Sequence, residues 1–229
     1  MIKTIYHGSD HTIEKPQYGI GKKYNDYGPG FYCTEDINMA KEWGVSRYKP
    51  GYTNCYTIDY SDLSILNLNS EKFSILNWLT VLLENRNFET SSVLAHQAKQ
   101  YLLENFKVNY EQYDIITGYR ADDSYFSFAQ DFINGAISLK QLNNAMHLGK
   151  LGTQFVLKSM KAFNRLQYIG YEKAEIDEWY EKKSTRDNKA RREYLDAERF
   201  RIRPGDIFMT QILSEEIKAD DPRIRQNLS

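Results

Sequence analysis

The 229-residue sequence has little of what several classes of protein require. It contains only two cysteines, Cys33 and Cys55, which are too few for a disulfide framework and lack the spacing of metal ligands. No apolar run approaches the roughly 20 residues that a membrane helix needs. Residues 1–10 also lack the apolar stretch of a signal peptide. We therefore expect a cytoplasmic protein that uses neither a membrane nor a metal.

The charges are almost balanced, with 30 basic and 31 acidic side chains and a net charge of −1. This balance excludes a global attraction to nucleic acid, so only a local basic patch could bind phosphates. Basic residues concentrate between Lys182 and Arg203. This segment is either a contact for phosphates or an acidic partner, or a solvated helix face with acidic residues interspersed.

The composition that is present, 41% hydrophobic and 27% charged residues, is typical of a globular chain and argues against disorder. Strands are predicted in "IKTIY", "FYCT", "NCYTIDY", "LSILNL", "YDIITG", "TQFVLKS" and "LQYIGY". Helices are predicted over residues 37–47, 70–84, 91–104, 124–134, 138–147 and 207–216. We expect an α+β domain over residues 1–171, with a helical insertion at about 70–147, and then a charged helical extension over residues 172–229.

Two short stretches near the N-terminus carry the most specific pattern. "IYHGSD" places His7 at the end of the predicted first strand, followed by Gly8 and Ser9. "DYGPGFYCTED" then has a glycine-framed turn before Tyr32, and Trp43 follows eleven positions later on the predicted first helix. Each piece alone is a weak signal, since a core histidine, a sheet tyrosine and a buried helix tryptophan are equally consistent with it. The ordered combination is more specific.

This combination resembles the NAD-binding core of the ADP-ribosyltransferases of the diphtheria-toxin and poly(ADP-ribose) polymerase type. The resemblance covers about 40 residues at the N-terminus and one later strand around Gln154. It implies a split antiparallel β-sheet core, NAD⁺ as co-substrate and no metal. The whole chain is also similar to a bacterial family close to these transferases whose members are often the toxin half of toxin–antitoxin pairs. That similarity implies a toxin or phage-defence effector with a cognate antitoxin protein.

The resemblance also implies roles for the N-terminal residues. His7 and Ser9 would contact the hydroxyls of the adenosine ribose, and the backbone of Gly8 would approach the nicotinamide carboxamide. Tyr32 and Trp43 would pack on the two faces of the nicotinamide ring. A cationic ring between two aromatic faces gains on the order of 0.5–2 kcal/mol.

Further contacts to the dinucleotide are expected from the turn and from a later loop. Gly28 and Gly30 would let the chain turn tightly beneath the dinucleotide, and Thr34 would add a contact after Tyr32. Arg120 could hold the pyrophosphate.

The third position of the catalytic group departs from the commonest pattern of the resembled family. A glutamate usually stands there, and this chain has Gln154 in "LGTQFVLKS". A glutamate stabilises the oxocarbenium-like ribose by charge and binds its 2′-hydroxyl, whereas a glutamine can only bind the hydroxyl. Some relatives use glutamine or aspartate at this position. The alternative is that Gln154 is only a strand residue.

Deprotonation of the acceptor would then need another group. Asp122 and Asp123 follow a predicted strand and are candidates for a base on the acceptor side. The equally good alternative is that one of them caps the helix that begins near Ser124.

The catalytic residues predicted by the resemblance are thus His7, Tyr32 and Gln154. The expected activity is NAD⁺-dependent mono-ADP-ribosylation of a macromolecular acceptor, either a protein or a nucleic acid. The alternative is a binding module of the same fold that retains the cleft without turnover.

Overall fold

The computed structural model describes residues 1–121, 123–148 and 152–226. In those ranges the chain forms two β-sheets and a set of helices, which confirms the predicted α+β class. The strands are β1 (Ile2–Ser9), β2 (Phe31–Cys33), β3 (Gly51–Asp59), β4 (Ile65–Asn67), β5 (Ile115–Tyr119), β6 (Thr153–Leu157) and β7 (Leu166–Ala174). The helices are α1 (Ile37–Gly44), α2 (Ile75–Asn85), α3 (Val93–Asn105), α4 (Asp123–Ile133), α5 (Leu139–His147), α6 (Met160–Phe163), α7 (Ile176–Glu193), α8 (Met209–Ser214) and α9 (Pro222–Gln226).

Backbone hydrogen bonds near the N-terminus join the two sheets. The first has the order β1-β3-β7 with antiparallel pairs, and the second has the order β2-β6-β5-β4. Reciprocal backbone hydrogen bonds of 2.8 and 2.9 Å between Tyr6 and Thr34 tie β1 to the end of β2. The expected antiparallel pairing has one exception, since β4 and β5 are parallel. A parallel pair requires a long crossover, and α2 and α3 provide it.

Capping residues determine where the first helices begin. The carboxylate of Asp36 accepts from two backbone N–H groups in the first turn of α1, which ends at Gly44. The predicted start of α2 at Ser70 was too early. Ser74 is the N-cap instead, and its backbone N–H donates to Asn77 Oδ1 at 2.8 Å.

Two hydrophobic clusters form most of the core, beside a small third one of Val45, Ala174 and Trp179. The larger joins the second sheet to α2–α5, and its members include Ile116, Val156, Trp78, Leu79 and Phe128. The smaller lies between the two sheets and includes Ile5, Phe31, Tyr56 and Phe155. Within the described ranges, no helix is long and apolar enough to cross a membrane.

The C-terminal residues pack on this core. Strand β7 continues to Ala174, so the boundary predicted between residues 171 and 172 falls inside a strand. Arg186 of α7 forms an ion pair with buried Glu42 of α1 at 2.8 Å. In the π-helical turn after α7, the Tyr194 ring stacks on Phe128 with the centroids 3.9 Å apart. The helical extension is therefore a wall of the same structure.

Candidate active site

A cleft of about 950 Å³ opens beside β1, β2 and β6, and it is the place where the predicted site residues meet. Its walls also include the segment over residues 10–30, helix α1 and helix α7. Eight predicted residues line it: His7, Gly8, Ser9, Gly30, Tyr32, Trp43, Arg120 and Gln154. Side chains that are far apart in the sequence thus share one cavity.

His7 is held by the strand that carries Tyr32. Its Nδ1 donates to the backbone carbonyl of Tyr32 at 2.7 Å, and its ring stacks on Phe31 with the centroids 4.4 Å apart. Burial lowers the pKa of His7 below its usual value, more than the carbonyl contact raises it. The imidazole is therefore neutral at physiological pH, and its Nε2 is the nitrogen that remains as a hydrogen-bond acceptor.

The hydroxyl of Tyr32 is committed to the glycine-containing turn. It donates to the carbonyl of Gly28 at 2.6 Å and accepts from the backbone N–H of Tyr27 at 3.0 Å. Burial raises the pKa of this phenol well above its usual range. Because its hydroxyl is engaged in both directions by the turn, what Tyr32 offers a ligand is its ring.

Trp43 reaches the cleft from α1, and the Arg120 guanidinium lies 4.8 Å from the centroid of its ring. This distance is within the range of a cation–π contact. The indole Nε1 is buried and has no hydrogen-bond partner among the described residues. Trp43 and Arg120 thus form one wall on which both a planar ring and an anion could be bound.

Gly8 and Ser9 have structural roles in addition to their position at the cleft. A Cβ on Gly8 would lie 2.0 Å from the carbonyl oxygen of Ala40, so β1 and α1 can approach only at a glycine. The Ser9 hydroxyl donates to the carbonyl of His11 at 2.6 Å and accepts from Asn54 Nδ2 at 2.9 Å.

Gln154 lies at the floor of the cleft and is only 6% exposed. Its Nε2 donates to Asp26 Oδ2 at 3.4 Å, whereas its Oε1 has no hydrogen-bond partner in the part of the chain that the structure describes. Asp26 is 4% exposed, forms an ion pair with Arg86 at 3.1 Å, and accepts from the backbone N–H of Ala121 at 2.8 Å.

The sequence did not identify Asp26 and Arg86 as site residues. Asp26 stands in a loop next to a glycine turn and Arg86 is the C-cap of α2, so neither position has a periodicity that would distinguish it. Lys183, Asp187 and Arg191 of α7 also line the cleft. Their four-residue spacing places them on one helix face, and this spacing could have indicated a shared surface from the sequence alone.

Thr34 is not part of the cleft lining, contrary to the prediction. It is 2% exposed, and its hydroxyl accepts from the backbone N–H of Asp36 at 3.2 Å. Because it also joins the two sheets through its backbone, its role is to organise the end of β2.

The role of Asp122 or Asp123 as a base on the acceptor side stays a prediction. Asp123 is the first residue of α4, and Asp122 lies outside the described residues. Across the residues that are described, no group of three or more His, Cys, Asp or Glu side chains is arranged to hold a metal ion.

The family described as "Protein of unknown function (DUF3990)" matches residues 3–168, and the chain therefore belongs to that family. The matched range includes His7, Tyr32, Trp43, Arg120 and Gln154. Helix α7 lies beyond it, although α7 contributes three residues to the cleft. A comparison with curated proteins found no match, and a comparison with solved structures found none either.

Proposed function

We propose that this member of the DUF3990 family is an NAD⁺-dependent mono-ADP-ribosyltransferase that acts as a toxin or phage-defence effector inside a bacterial cell. The observation that carries the proposal is the convergence of His7, Tyr32 and Gln154 in one cleft. They come from three strands, β1, β2 and β6, in the chain order of the resembled transferases. The two-sheet architecture is consistent with the same resemblance.

The reaction replaces nicotinamide by an atom of the acceptor at one carbon of the ribose. The bond between that carbon and the nicotinamide nitrogen breaks, and nicotinamide leaves with the electron pair. The ribose becomes oxocarbenium-like, and a lone pair of the acceptor forms the new bond while the acceptor loses its proton. The acceptor is a macromolecule, either a protein or a nucleic acid, and a cognate antitoxin protein would neutralise the activity.

The described side chains match the parts of this substrate. The neutral His7 can accept from a ribose hydroxyl through Nε2, and the Tyr32 ring supplies an apolar face for nicotinamide. Gln154 Oε1 can accept from the ribose 2′-hydroxyl, which would satisfy a buried acceptor that is otherwise unpaired among the described residues.

The volume and charge of the cleft also suit a dinucleotide. About 950 Å³ lies within the usual range of roughly 300–1,000 Å³ for small-molecule sites. Cationic side chains from three separate elements line it, and they would complement a diphosphate: Arg86, Arg120, Lys183 and Arg191.

One observation favours a second candidate, a module that binds NAD⁺ without consuming it. Gln154 carries no charge, so it cannot stabilise the developing cation as a glutamate does. This candidate shares the cleft and differs only in turnover.

Incubation of the purified protein with NAD⁺ separates these candidates. The wild type should release nicotinamide, and mass spectrometry should detect ADP-ribose on a macromolecule in cell lysate. His7→Ala and Tyr32→Ala should abolish the release, whereas His96→Ala, on the exposed face of α3, should leave it unchanged. Intact NAD⁺ in the presence of lysate would exclude the transferase, and tight binding without turnover would establish the second candidate.

A further inference from the structure

We infer that Asp26 is a positioning residue for Gln154, and that it fixes the amide so that Oε1 is presented to the sugar of the substrate. This inference rests on the proposed function. It concerns a residue outside the set that the resemblance implies, and it explains how a glutamine can occupy the third catalytic position.

The geometry around Asp26 leaves the carboxylate little freedom. One oxygen, Oδ1, pairs with Arg86 Nη1 at 3.1 Å. The other, Oδ2, accepts from Ala121 N–H at 2.8 Å and from Gln154 Nε2 at 3.4 Å. Asp26 is also a lining residue of the cleft, although it is only 4% exposed.

A carboxylate paired with a guanidinium can only accept hydrogen bonds. It therefore attracts the NH₂ side of the neighbouring amide and repels its oxygen. In Gln154 this selects the orientation in which Nε2 faces Asp26, and the oxygen must point elsewhere. An asparagine at position 26 would not impose that choice, because it carries both a donor and an acceptor.

The consequence appears at Gln154 Oε1. This atom is buried and has no hydrogen-bond partner among the described residues, and buried polar atoms are seldom left in that state. A hydroxyl of a bound sugar could donate the hydrogen bond that this oxygen lacks. Asp26 thereby gives the glutamine the acceptor geometry that a glutamate has by nature, and it adds a carboxylate next to the site of developing positive charge.

The decisive experiment measures nicotinamide release and NAD⁺ affinity in Asp26→Asn, Gln154→Glu and the double variant. Asp26→Asn should lower kcat by about 10²-fold, because the amide of Gln154 can now turn its NH₂ towards the sugar and no longer accepts from the sugar hydroxyl. In the double variant, the introduced glutamate would accept from the introduced asparagine and present a carboxylate oxygen to the sugar. Its kcat should therefore recover at least roughly tenfold relative to Asp26→Asn.

The single variant Gln154→Glu supplies a test that leaves Asp26 intact. Two carboxylates in contact must share a proton, so its rate should rise as the pH falls from about 8 to about 5.5, and the wild type should lack this rise. Asp62→Asn, which removes an exposed carboxylate paired with Arg165, is the matched control and should behave as the wild type.

The outcomes separate this inference from the proposed function. A wild type that neither binds nor consumes NAD⁺ overturns both. If the wild type is active, three results overturn the role of Asp26 alone: wild-type kcat in Asp26→Asn, no recovery in the double variant, or a wild-type pH profile in Gln154→Glu. If the wild type binds without turnover, the affinities of the same variants replace the rates, with the same order expected.

Discussion

Replacement of Gly8 by alanine should destabilise the whole fold, because β1 and α1 are in backbone contact at this residue. A Cβ at position 8 would lie 2.0 Å from the carbonyl oxygen of Ala40 and 2.7 Å from the backbone nitrogen of Gly44. Both neighbours are backbone atoms of α1, so no side chain can rotate away. Ordinary contact begins near 3.4 Å, and the strand and helix would have to separate by about 1.4 Å.

That separation lies at the severe end of overpacking, whose usual penalty is about 1–3 kcal/mol. We expect a loss of about 3 kcal/mol in the free energy of unfolding. For a chain of this length, such a loss lowers Tm by roughly 6–12 °C. Thermal and urea unfolding followed by circular dichroism would measure both quantities.

Gly19→Ala is the matched control for this substitution. Gly19 has φ of 86°, and a Cβ there would meet no heavy atom within 4 Å among the described residues beyond its chain neighbours. Alanine at position 19 therefore carries only the left-handed strain of about 1–2 kcal/mol. Equal losses for Gly8→Ala and Gly19→Ala would refute the packing argument and leave ligand contact as the reason for a glycine at position 8.

Three further predictions concern other contacts of the site. Because the folded-state pKa of His7 is lowered, the unfolded chain binds more protons below about pH 6.5. When the pH is lowered from about 7 to about 5.5, the free energy of unfolding should therefore decrease by at most about 1.4 kcal/mol per pH unit. His7→Gln should make this decrease smaller, whereas His96→Ala should leave it unchanged. Arg186→Ala leaves a buried carboxylate on α1 without its partner and should lose about 2–4 kcal/mol in urea unfolding; a loss no larger than that of exposed Lys189→Ala would contradict this. Tyr32→Phe removes two hydrogen bonds of the turn and should lose about 1–3 kcal/mol, yet nicotinamide release should persist because the ring remains; abolished release in a folded variant would contradict the assignment to the ring.

Local patterns were sufficient to predict most of the elements of this fold. The strand predicted in "TQFVLKS" matches β6, and Ser138 before an amphipathic stretch matches the N-cap of α5. The predicted start of α2 was wrong because Ser70 and Ser74 are both residues that favour an N-cap. Only Ser74 has a side chain three residues later, Asn77, that completes a capping box. The parallel pairing of β4 and β5 could not be predicted, because it depends on how the intervening helices pack.

The candidate site was predictable only where residues follow one another in a defined order. His7, Tyr32 and Trp43 belong to such an order, and all three line the cleft. Thr34 belongs to the same order, but its position at the junction of the sheets turns it into a structural residue, which only the tertiary contacts reveal. Asp26 shows the converse, since its importance comes from a contact with Gln154 across 128 positions of sequence.

Tertiary contacts also bring a helix from outside the matched family range into the cleft. Residues 3–168 contain the strands that supply His7, Tyr32 and Gln154, but one wall comes from α7, at residues 176–193. That wall is held by the Arg186–Glu42 pair, which connects α7 to the helix that carries Trp43. A change in α7 therefore alters the cleft in two ways, directly through Lys183 and Arg191 and indirectly through the position of α1. Helix α7 is therefore part of the site, because residues 3–168 of this chain do not close the cleft alone.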